Sequence, residues 1–262
     1  MQFLPLLIAA LVACGSGIPI QAASKEAREK QFPAQIYVQV DKSTGGSVSC
    51  EGTLLTSRHV VTAAHCIQAI KLGGFGGGGV AMGGFVDAKD ITNANPRGAQ
   101  GRMIYGAVAH SEFNKTGNAE NDVAVLMVYP DFDITDYLSP ITILADDSGF
   151  IGSPKATVSS YGIIKGEEGT LRYAEVNLVN HDSCNAAWSG KADIGDTQIC
   201  VDFSGKDRDY NAAPLQVQAD DKWIQLGLSS FGQQTQKPDV YTRVSKHCSF
   251  LKEATDGIFH CA

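Results

Sequence analysis

Short runs rich in β-branched and aromatic residues recur along most of this chain, and they give the clearest prediction of its local structure. Clusters of Gly, Pro, Asn and Asp separate the runs, as expected for strands joined by tight turns. Spacing of this kind is typical of an all-β barrel or sandwich. The predicted strands cover residues 36–40, 60–64, 122–128, 156–162, 173–179, 223–231 and 240–244.

Helical spacing of apolar residues occurs at the C-terminal end, where Cys248, Leu251 and Ala254 follow one another at one-turn intervals. Ser245 precedes them and is predicted to be the N-cap. Residues 73–84 are dominated by glycine but lack the strand-to-helix context of a phosphate-binding motif. We therefore predict a flexible surface loop there, with a binding loop as the alternative. Residues 129–140 are predicted to cross between two halves of the fold.

The N-terminal residues predict export. Residues 4–13 form an apolar run of ten, which is too short to span a bilayer. Small residues follow it at positions 13–16 and again at 22–23, so we predict a signal peptide over residues 1–22. The alternative for residues 11–14 is a bacterial lipoprotein box, although the region before it lacks Lys and Arg.

Composition and cysteine count narrow the class of protein. The chain of 262 residues is long enough for one domain or two small ones, and its formal net charge is -7. No Lys/Arg cluster is visible, which argues against nucleic acid and anionic membranes as partners. Of seven cysteines, Cys14 would leave with the signal, and the remaining six predict three disulfides in an exported chain. The count alone does not decide their pairing.

Four ordered motifs carry a resemblance to a known family. Cys50-Glu51-Gly52-Thr53-Leu54-Leu55 is followed by Val60-Val61-Thr62-Ala63-Ala64-His65-Cys66, and Asn121-Asp122-Val123-Ala124-Val125-Leu126 comes later. Ser230-Phe231-Gly232 and Pro238-Asp239-Val240-Tyr241-Thr242-Arg243-Val244 complete the set. From about residue 31 to the end of the terminal helix, the chain resembles the chymotrypsin/trypsin family of serine proteases.

This resemblance implies an all-β fold of two six-stranded antiparallel barrels with a crevice between them and a C-terminal helix. The first barrel would span about residues 23–138 and the second about 139–262. His65 would stand at the position of the general base, and Asp122 would orient and stabilise its imidazole. Ser230 and Gly232 would lie on the strand that lines the substrate. The resemblance implies no cofactor.

The nucleophile motif of the family is absent from this chain. The family carries a serine inside Gly-Asp-Ser-Gly-Gly-Pro, and the aligned residues here are Asp209-Tyr210-Asn211-Ala212-Ala213-Pro214. Asn211 therefore takes the position of the nucleophile, and an amide side chain cannot form an acyl-enzyme. Asp209 replaces a glycine of the oxyanion hole, and Tyr210 replaces the aspartate that receives the activated N-terminus. The alternative is a misplaced motif, for which Ser204 is the nearest candidate nucleophile.

Two further features of the activated family also differ. An Ile-Val start is expected about twelve residues before Pro33, but Gln21-Ala22-Ala23-Ser24 stands there. Gly205 occupies the pocket-floor position where trypsin has an aspartate, and Asp239 lies across the pocket. Two interpretations of Asp239 are open: a pocket wall that attracts Lys or Arg side chains, or a solvated turn residue.

The resemblance also implies the disulfides Cys50–Cys66 and Cys184–Cys200, which leaves Cys248 and Cys261. One continuous helix would separate these two by about 20 Å, whereas a disulfide requires Cα atoms within about 7 Å. If they pair, the helix must end and the chain must fold back, for which Asp256-Gly257 is a suitable stop.

Other candidate sites are weaker. Asn114-Lys115-Thr116 is a sequon for N-glycosylation in a polar loop. Asp87 and Asp90 could contribute to a calcium loop, but two acids without an ordered ligand pattern predict no metal site.

The function expected from these observations is that of an exported, catalytically inactive protease homologue that binds extracellular proteins. Its partner would be a protease, a protease inhibitor or a component of an extracellular cascade. The alternative is an active serine endopeptidase with an unrecognised nucleophile. A third interpretation is a secreted lectin-like or host-interaction module on the same scaffold.

Overall fold

A computed structural model describes residues 24–68, 70–72, 78–88, 90, 98–152, 155–162, 169–203, 210–232 and 235–262. The predicted signal peptide, Ser204, Gly205 and Asp209 lie outside these residues, as do residues 73–77 of the glycine-rich segment. The strands are β1 Lys25–Glu26, β2 Gln35–Asp41, β3 Ser47–Thr56, β4 His59–Thr62, β5 Gly79–Gly83, β6 Gln100–Ala109, β7 Ala124–Tyr129, β8 Lys155–Ser160, β9 Arg172–Val179, β10 Gln198–Asp202, β11 Pro214–Ala219, β12 Lys222–Phe231 and β13 Asp239–Arg243.

The helices within the described residues are short. They are α1 Ser148–Ile151, α2 His181–Trp188 and α3 Cys248–Ala254, and 3₁₀ turns cover Ala64–Ile67 and Val244–His247. None of them is long and apolar enough to cross a bilayer.

The strands form two closed six-stranded antiparallel barrels, as the resemblance implied. The first barrel runs β2-β3-β4-β7-β6-β5 and closes from β5 to β2. The second runs β8-β9-β10-β13-β12-β11 and closes from β11 to β8, with β1 added at β9. Each barrel has its own buried apolar cluster, because side chains that alternate along each strand fill the interior.

Each barrel is also contacted by a terminal segment that belongs, in sequence, to the other barrel. Strand β1 precedes the first barrel in sequence, yet it pairs with Arg172 and Tyr173 of β9 in the second. Helix α3 follows the second barrel, yet Leu251 packs in a cluster with Leu55 and Val125 of the first. These exchanged segments fasten the two barrels together across the crevice.

Three disulfides close the chain locally. Cys50–Cys66 and Cys184–Cys200 are formed, with Cα separations of 6.2 Å and 6.3 Å. Cys248–Cys261 is formed as well, at 5.8 Å. Helix α3 ends at Ala254, and the chain turns back through Asp256 and Gly257, which both have positive φ angles. The expected helix stop is therefore confirmed.

Several local predictions were wrong. Gly79–Gly83, assigned to a flexible loop, is the barrel strand β5. Ser245 lies inside a 3₁₀ turn with its buried hydroxyl unpartnered, and the N-cap of α3 is His247. A helix at residues 181–188 was not predicted; the side chain of Asn180 caps it by accepting the Ser183 N–H at 2.8 Å. The crossover from β7 to β8 extends over residues 130–154, beyond the predicted end at residue 140.

Candidate active site and its altered nucleophile segment

Strand register brings His65 and Asp122 together. Thr62 at the end of β4 pairs with Ala124 at the start of β7. His65 lies three residues after Thr62, and Asp122 lies two residues before Ala124, so both leave the first barrel at the same edge. The Cys50–Cys66 disulfide fixes the residue next to His65. The location of this pair is therefore a consequence of the antiparallel ladder.

Asp122 is the centre of a hydrogen-bonded unit. His65 Nδ1 lies 2.7 Å from Asp122 Oδ2, and the His65 backbone N–H donates to Asp122 Oδ1 at 2.9 Å. The Ser230 hydroxyl also donates to Asp122 Oδ2, at 2.5 Å. The Asp122 side chain is 1% exposed and that of His65 is 28% exposed. The carboxylate thus holds the Nδ1 edge of the imidazole, and the His65 side chain remains partly open to solvent. This arrangement is suited to general-base chemistry.

The Ser230 hydroxyl contacts the buried carboxylate of Asp122, a contact that the sequence did not predict. The location of Ser230 on a strand that lines the substrate stays a prediction. Thr242 on the neighbouring strand β13 donates its hydroxyl to the Asp122 backbone carbonyl at 2.9 Å. Both contacts cross from the second barrel to the first. They show that the Asp122 position is supported from both sides of the crevice.

Asn211 does not reach the imidazole. The side-chain amide of Asn211 donates to the Ser49 backbone carbonyl at 3.3 Å. The backbone carbonyl of Asn211 accepts the Glu51 backbone N–H at 2.9 Å. His65 Nε2 lies 3.6 Å from Cys66 Sγ. Among the described residues, no hydrogen bond joins His65 to Asn211. The residue at the nucleophile position is therefore turned towards β3 of the first barrel.

Ala212 has an unfavourable backbone conformation for its residue type. Its φ angle is 57°, in the left-handed region that favours glycine, and its side chain is fully buried. The family motif has glycine at this position. Ala213 beside it is held by strand β12, because its N–H donates to Ser229 Oγ at 2.9 Å. The left-handed conformation at Ala212 is one that the glycine of the family motif would adopt without strain.

Tyr210 and Asp239 form a buried pair that the sequence did not predict. The Tyr210 hydroxyl donates to Asp239 Oδ2 at 2.8 Å, and the Tyr241 hydroxyl donates to the Tyr210 oxygen at 3.1 Å. Asp239 is 0% exposed. Neither interpretation of Asp239 matches this geometry, because the carboxylate is neither solvated nor presented as an open wall.

Gly232 lies in a tight part of the crevice. Its φ angle is 104°, and a Cβ built on it would lie 3.1 Å from both the Pro238 carbonyl and the Trp188 ring. Trp188 donates its indole N–H to that same carbonyl at 3.0 Å. A glycine is therefore required at this position by both conformation and space. Gly205, the other glycine proposed for the pocket, lies outside the described residues.

Other candidate residues have ordinary surroundings. Asn114 is exposed in a turn, where its Oδ1 accepts the Ala119 N–H at 2.9 Å. Within the described part of the chain, the one group of three candidate metal ligands is Cys50, His65 and Cys66. Its two cysteines share a disulfide, so they offer no thiolate to a metal.

Glu51 lies in the first family motif, and the sequence predicts no role for it. It is 4% exposed, and its Oε1 accepts the Ser160 hydroxyl at 2.9 Å and the Tyr161 N–H at 2.5 Å. Oε2 is buried without a hydrogen-bond partner. Burial raises the pKa of Glu51 to about 8, and its two hydrogen bonds offset only part of that effect. An acid between Cys50 and Gly52 in an apolar strand was the available signal.

Two closed barrels with a histidine–aspartate pair in the crevice define the class of chymotrypsin-like proteins. The sequence model of the trypsin family matches residues 22–251, and the chain belongs to that family.

Curated proteins with similar sequences are named as proteases. The chain is 28% identical over 247 residues to the CLIP domain-containing serine protease B10 of Anopheles gambiae, covering 85% of this chain and 66% of that protein. It is 27% identical over 222 residues to the venom protease of Bombus pensylvanicus, with coverages of 78% and 85%. It is 27% identical over 227 residues to trypsin delta of Drosophila erecta, with coverages of 82% and 80%.

Proposed function

We propose that this trypsin-family protein is a catalytically inactive homologue that acts outside the cell by binding other proteins. The observation that carries the proposal is the arrangement of Asn211. An amide occupies the nucleophile position, and it is hydrogen-bonded to Ser49 rather than to His65. A triad without its serine loses on the order of a million-fold in turnover.

The surroundings of Asn211 support the same proposal. Tyr210 takes the position of the acidic residue that receives the activated N-terminus in the family, and its hydroxyl is engaged with Asp239. A phenol cannot form the ion pair on which that activation depends. The inactive state is therefore expected to result from several changes that act together.

The extracellular location is part of the proposal. Three disulfides within the described residues favour an oxidising compartment. The predicted signal peptide would direct the chain there, and the exposed Asn114 is a candidate glycosylation site. The binding partner we propose is an extracellular protein: a protease, a protease inhibitor or a cascade component.

The second candidate function is serine-type endopeptidase activity with an unrecognised nucleophile. The intact unit of His65, Asp122 and Ser230 favours it, because this unit is the part of the machinery that would activate a hydroxyl. Ser230 itself donates to Asp122 rather than to the open side of the imidazole. Ser204 remains the candidate nucleophile from the sequence.

A fluorophosphonate probe separates the two functions, since it labels only an activated serine. We expect no labelling of the purified mature protein, with trypsin labelled in parallel as the positive control. Labelling would support the endopeptidase, and peptide mapping would identify the modified serine. Loss of that labelling in Ser204→Ala would assign the reaction to Ser204.

Cleavage of Arg- and Phe-type amide substrates provides the second test. We expect turnover at background for the wild type and for Asn211→Ser, because one hydroxyl restores neither the oxyanion hole nor the activation ion pair. Turnover by the wild type would overturn the inactive state. Turnover by Asn211→Ser alone would show that the nucleophile is the single defect.

A further inference from the structure

A cavity of about 560 Å³ lies between the barrels on the side of Glu51. It is within the size range of small-molecule sites, and the junction between two domains is a common place for such sites. Its walls come from β2, β3 and β5 of the first barrel, from the turn that follows β8 in the second, and from Tyr210 and Asn211. It is distinct from the partly open face of His65, which does not line it.

Four aromatic residues line the cavity. Tyr37 and Tyr161 meet edge to face with centroids 5.9 Å apart, and Phe85 stacks on Tyr161 at 4.7 Å. The Tyr161 hydroxyl donates to the Phe85 carbonyl at 3.0 Å, which holds these two residues in place. Tyr210 lines the cavity as well. An aromatic ring whose face a cation can approach attracts that cation through its quadrupole.

Glu51 is the one acidic residue among the described residues that line this cavity, and none of them is Lys, Arg or His. One carboxyl oxygen is engaged by Ser160 and Tyr161, while the other is buried without a partner. A buried polar atom without a partner is costly, and such atoms in folded proteins call for an explanation. A ligand that donates a hydrogen bond and carries positive charge would satisfy this oxygen if the Glu51 carboxyl turned towards the cavity that the residue lines, because Oε2 is itself buried.

From this geometry we propose that the cavity binds a small organic ammonium ion, held by the Glu51 carboxylate and the aromatic rings around it. The proposal goes beyond the proposed function and does not depend on whether the protein is a protease. In the empty cavity the Glu51 carboxyl is protonated at neutral pH, because burial raises its pKa to about 8. Binding of the ammonium ion breaks the carboxyl O–H bond, and the proton passes to the buffer. Tyr37, Tyr161 and Tyr210 are the other titratable groups among the described residues that line the cavity.

Calorimetric titration with 2-phenylethylamine and tryptamine tests the proposal, with 2-phenylethanol as the neutral analogue of the first amine. We expect at least one amine to bind with a Kd below about 10 mM, and 2-phenylethanol to bind at least about tenfold more weakly than 2-phenylethylamine. Heats measured in buffers of different ionisation enthalpy should show release of close to one proton at pH 7. The amine affinity should rise about tenfold per pH unit from pH 6 to pH 8 and then level off.

Glu51→Gln is the decisive variant, because an amide matches the shape of the protonated carboxyl but cannot become an anion. It should lose at least about tenfold in amine affinity, together with the proton release and the pH slope, while 2-phenylethanol binds as before. Glu175→Gln, at an exposed position, should match the wild type and controls for net charge.

A pair of substitutions at Tyr37 checks the aromatic wall. Tyr37→Phe should retain the amine affinity and Tyr37→Leu should reduce it about threefold or more. Three results would overturn the proposal: no amine binding below about 10 mM, equal binding of amine and alcohol, or unchanged amine binding by a Glu51→Gln variant that is folded and melts cooperatively. None of these results bears on the fluorophosphonate and substrate tests, so the two proposals fail separately.

Discussion

Two regions that meet in the crevice have diverged to different degrees from the protease arrangement. The region around Asp122 retains its geometry: His65, Ser230 and Thr242 all donate to it or contact it at hydrogen-bonding distance. The segment 210–213 carries Tyr, Asn, Ala and Ala, which differ from the residue types of the family motif. The buried carboxylate of Asp122 accepts hydrogen bonds from His65 and Ser230 whether or not a reaction occurs. Retention of a histidine–aspartate pair is therefore explained by structure alone and is not evidence of catalysis.

The largest effect on stability is expected at Glu51, whose backbone N–H donates to the Asn211 backbone carbonyl. Its pKa is about 8 in the folded protein against 4.5 for the free side chain, so the folded state retains a proton that the unfolded chain releases. The contribution of protonated Glu51 to the free energy of unfolding is full below pH 4.5 and is lost as the pH rises to about 8. We expect the wild type to lose on the order of 4 kcal/mol relative to Glu51→Gln over this window.

Urea unfolding of the two proteins at several pH values measures this difference, and the comparison cancels the titration of all other groups. Glu175→Gln is the matched control and should show the pH profile of the wild type. A constant difference between wild type and Glu51→Gln from pH 4.5 to 8 would mean that Glu51 ionises as it does in water.

Asp122→Ala tests the structural role of the region around Asp122. It should lower the free energy of unfolding by about 3 kcal/mol, because it leaves the half-buried Ser230 hydroxyl and the His65 N–H without their buried acceptor. Asp133→Ala is the control, since its exposed carboxylate forms only a surface ion pair with Arg102. A loss for Asp122→Ala no larger than that of the control would contradict a structural explanation for its retention.

Tyr210→Phe tests the segment that has diverged. Removal of the hydroxyl takes one donor from the buried Asp239 carboxylate, so the free energy of unfolding should fall by about 1–2 kcal/mol. Tyr37→Phe is the control, because the hydroxyl of Tyr37 bonds to Ser49 Oγ at the surface. Equal melting temperatures for the two variants would show that the contact between Tyr210 and Asp239 contributes nothing to stability.

The smallest effect is expected at Ala212. Replacement by glycine relieves the positive φ angle, a gain that the greater freedom of the unfolded chain partly offsets. We expect Ala212→Gly to raise the free energy of unfolding by up to about 1 kcal/mol, measured by urea unfolding. Ala213→Gly, where no positive φ angle is present, should instead be destabilising. If Ala213→Gly were stabilising and Ala212→Gly destabilising, the backbone strain would not lie at Ala212.

The sequence predicted the elements whose cause is local. The strands around Val60 and Val125 have clear β-rich patterns, and the family motifs placed His65 and Asp122 at their shared edge. Strand β5 was missed because its glycines look like a loop. A Cβ at Gly79 would lie 1.9 Å from the Gln39 carbonyl, so close strand packing demands the composition that suggested flexibility.

The contacts of the altered segment were beyond sequence reasoning for a different reason. Tyr210 and Asp239 are 29 residues apart, and no pattern indicates that a phenol at the first position would reach a carboxylate at the second. The unpartnered oxygen of Glu51 likewise depends on how β8 of the second barrel approaches β3 of the first. Such long-range pairings follow from the assembled barrels rather than from any short stretch of residues.

The exchanged segments β1 and α3 have a consequence for how this molecule comes apart. Strand β1 is covalently joined to one barrel and hydrogen-bonded to the other, and α3 makes the reciprocal connection through Leu251. A cut in the crossover would therefore give two fragments that each lack a piece of their own surface and carry a piece of the other's. Neither half is an independent folding unit, and the barrels should melt in one cooperative transition despite their separate cores.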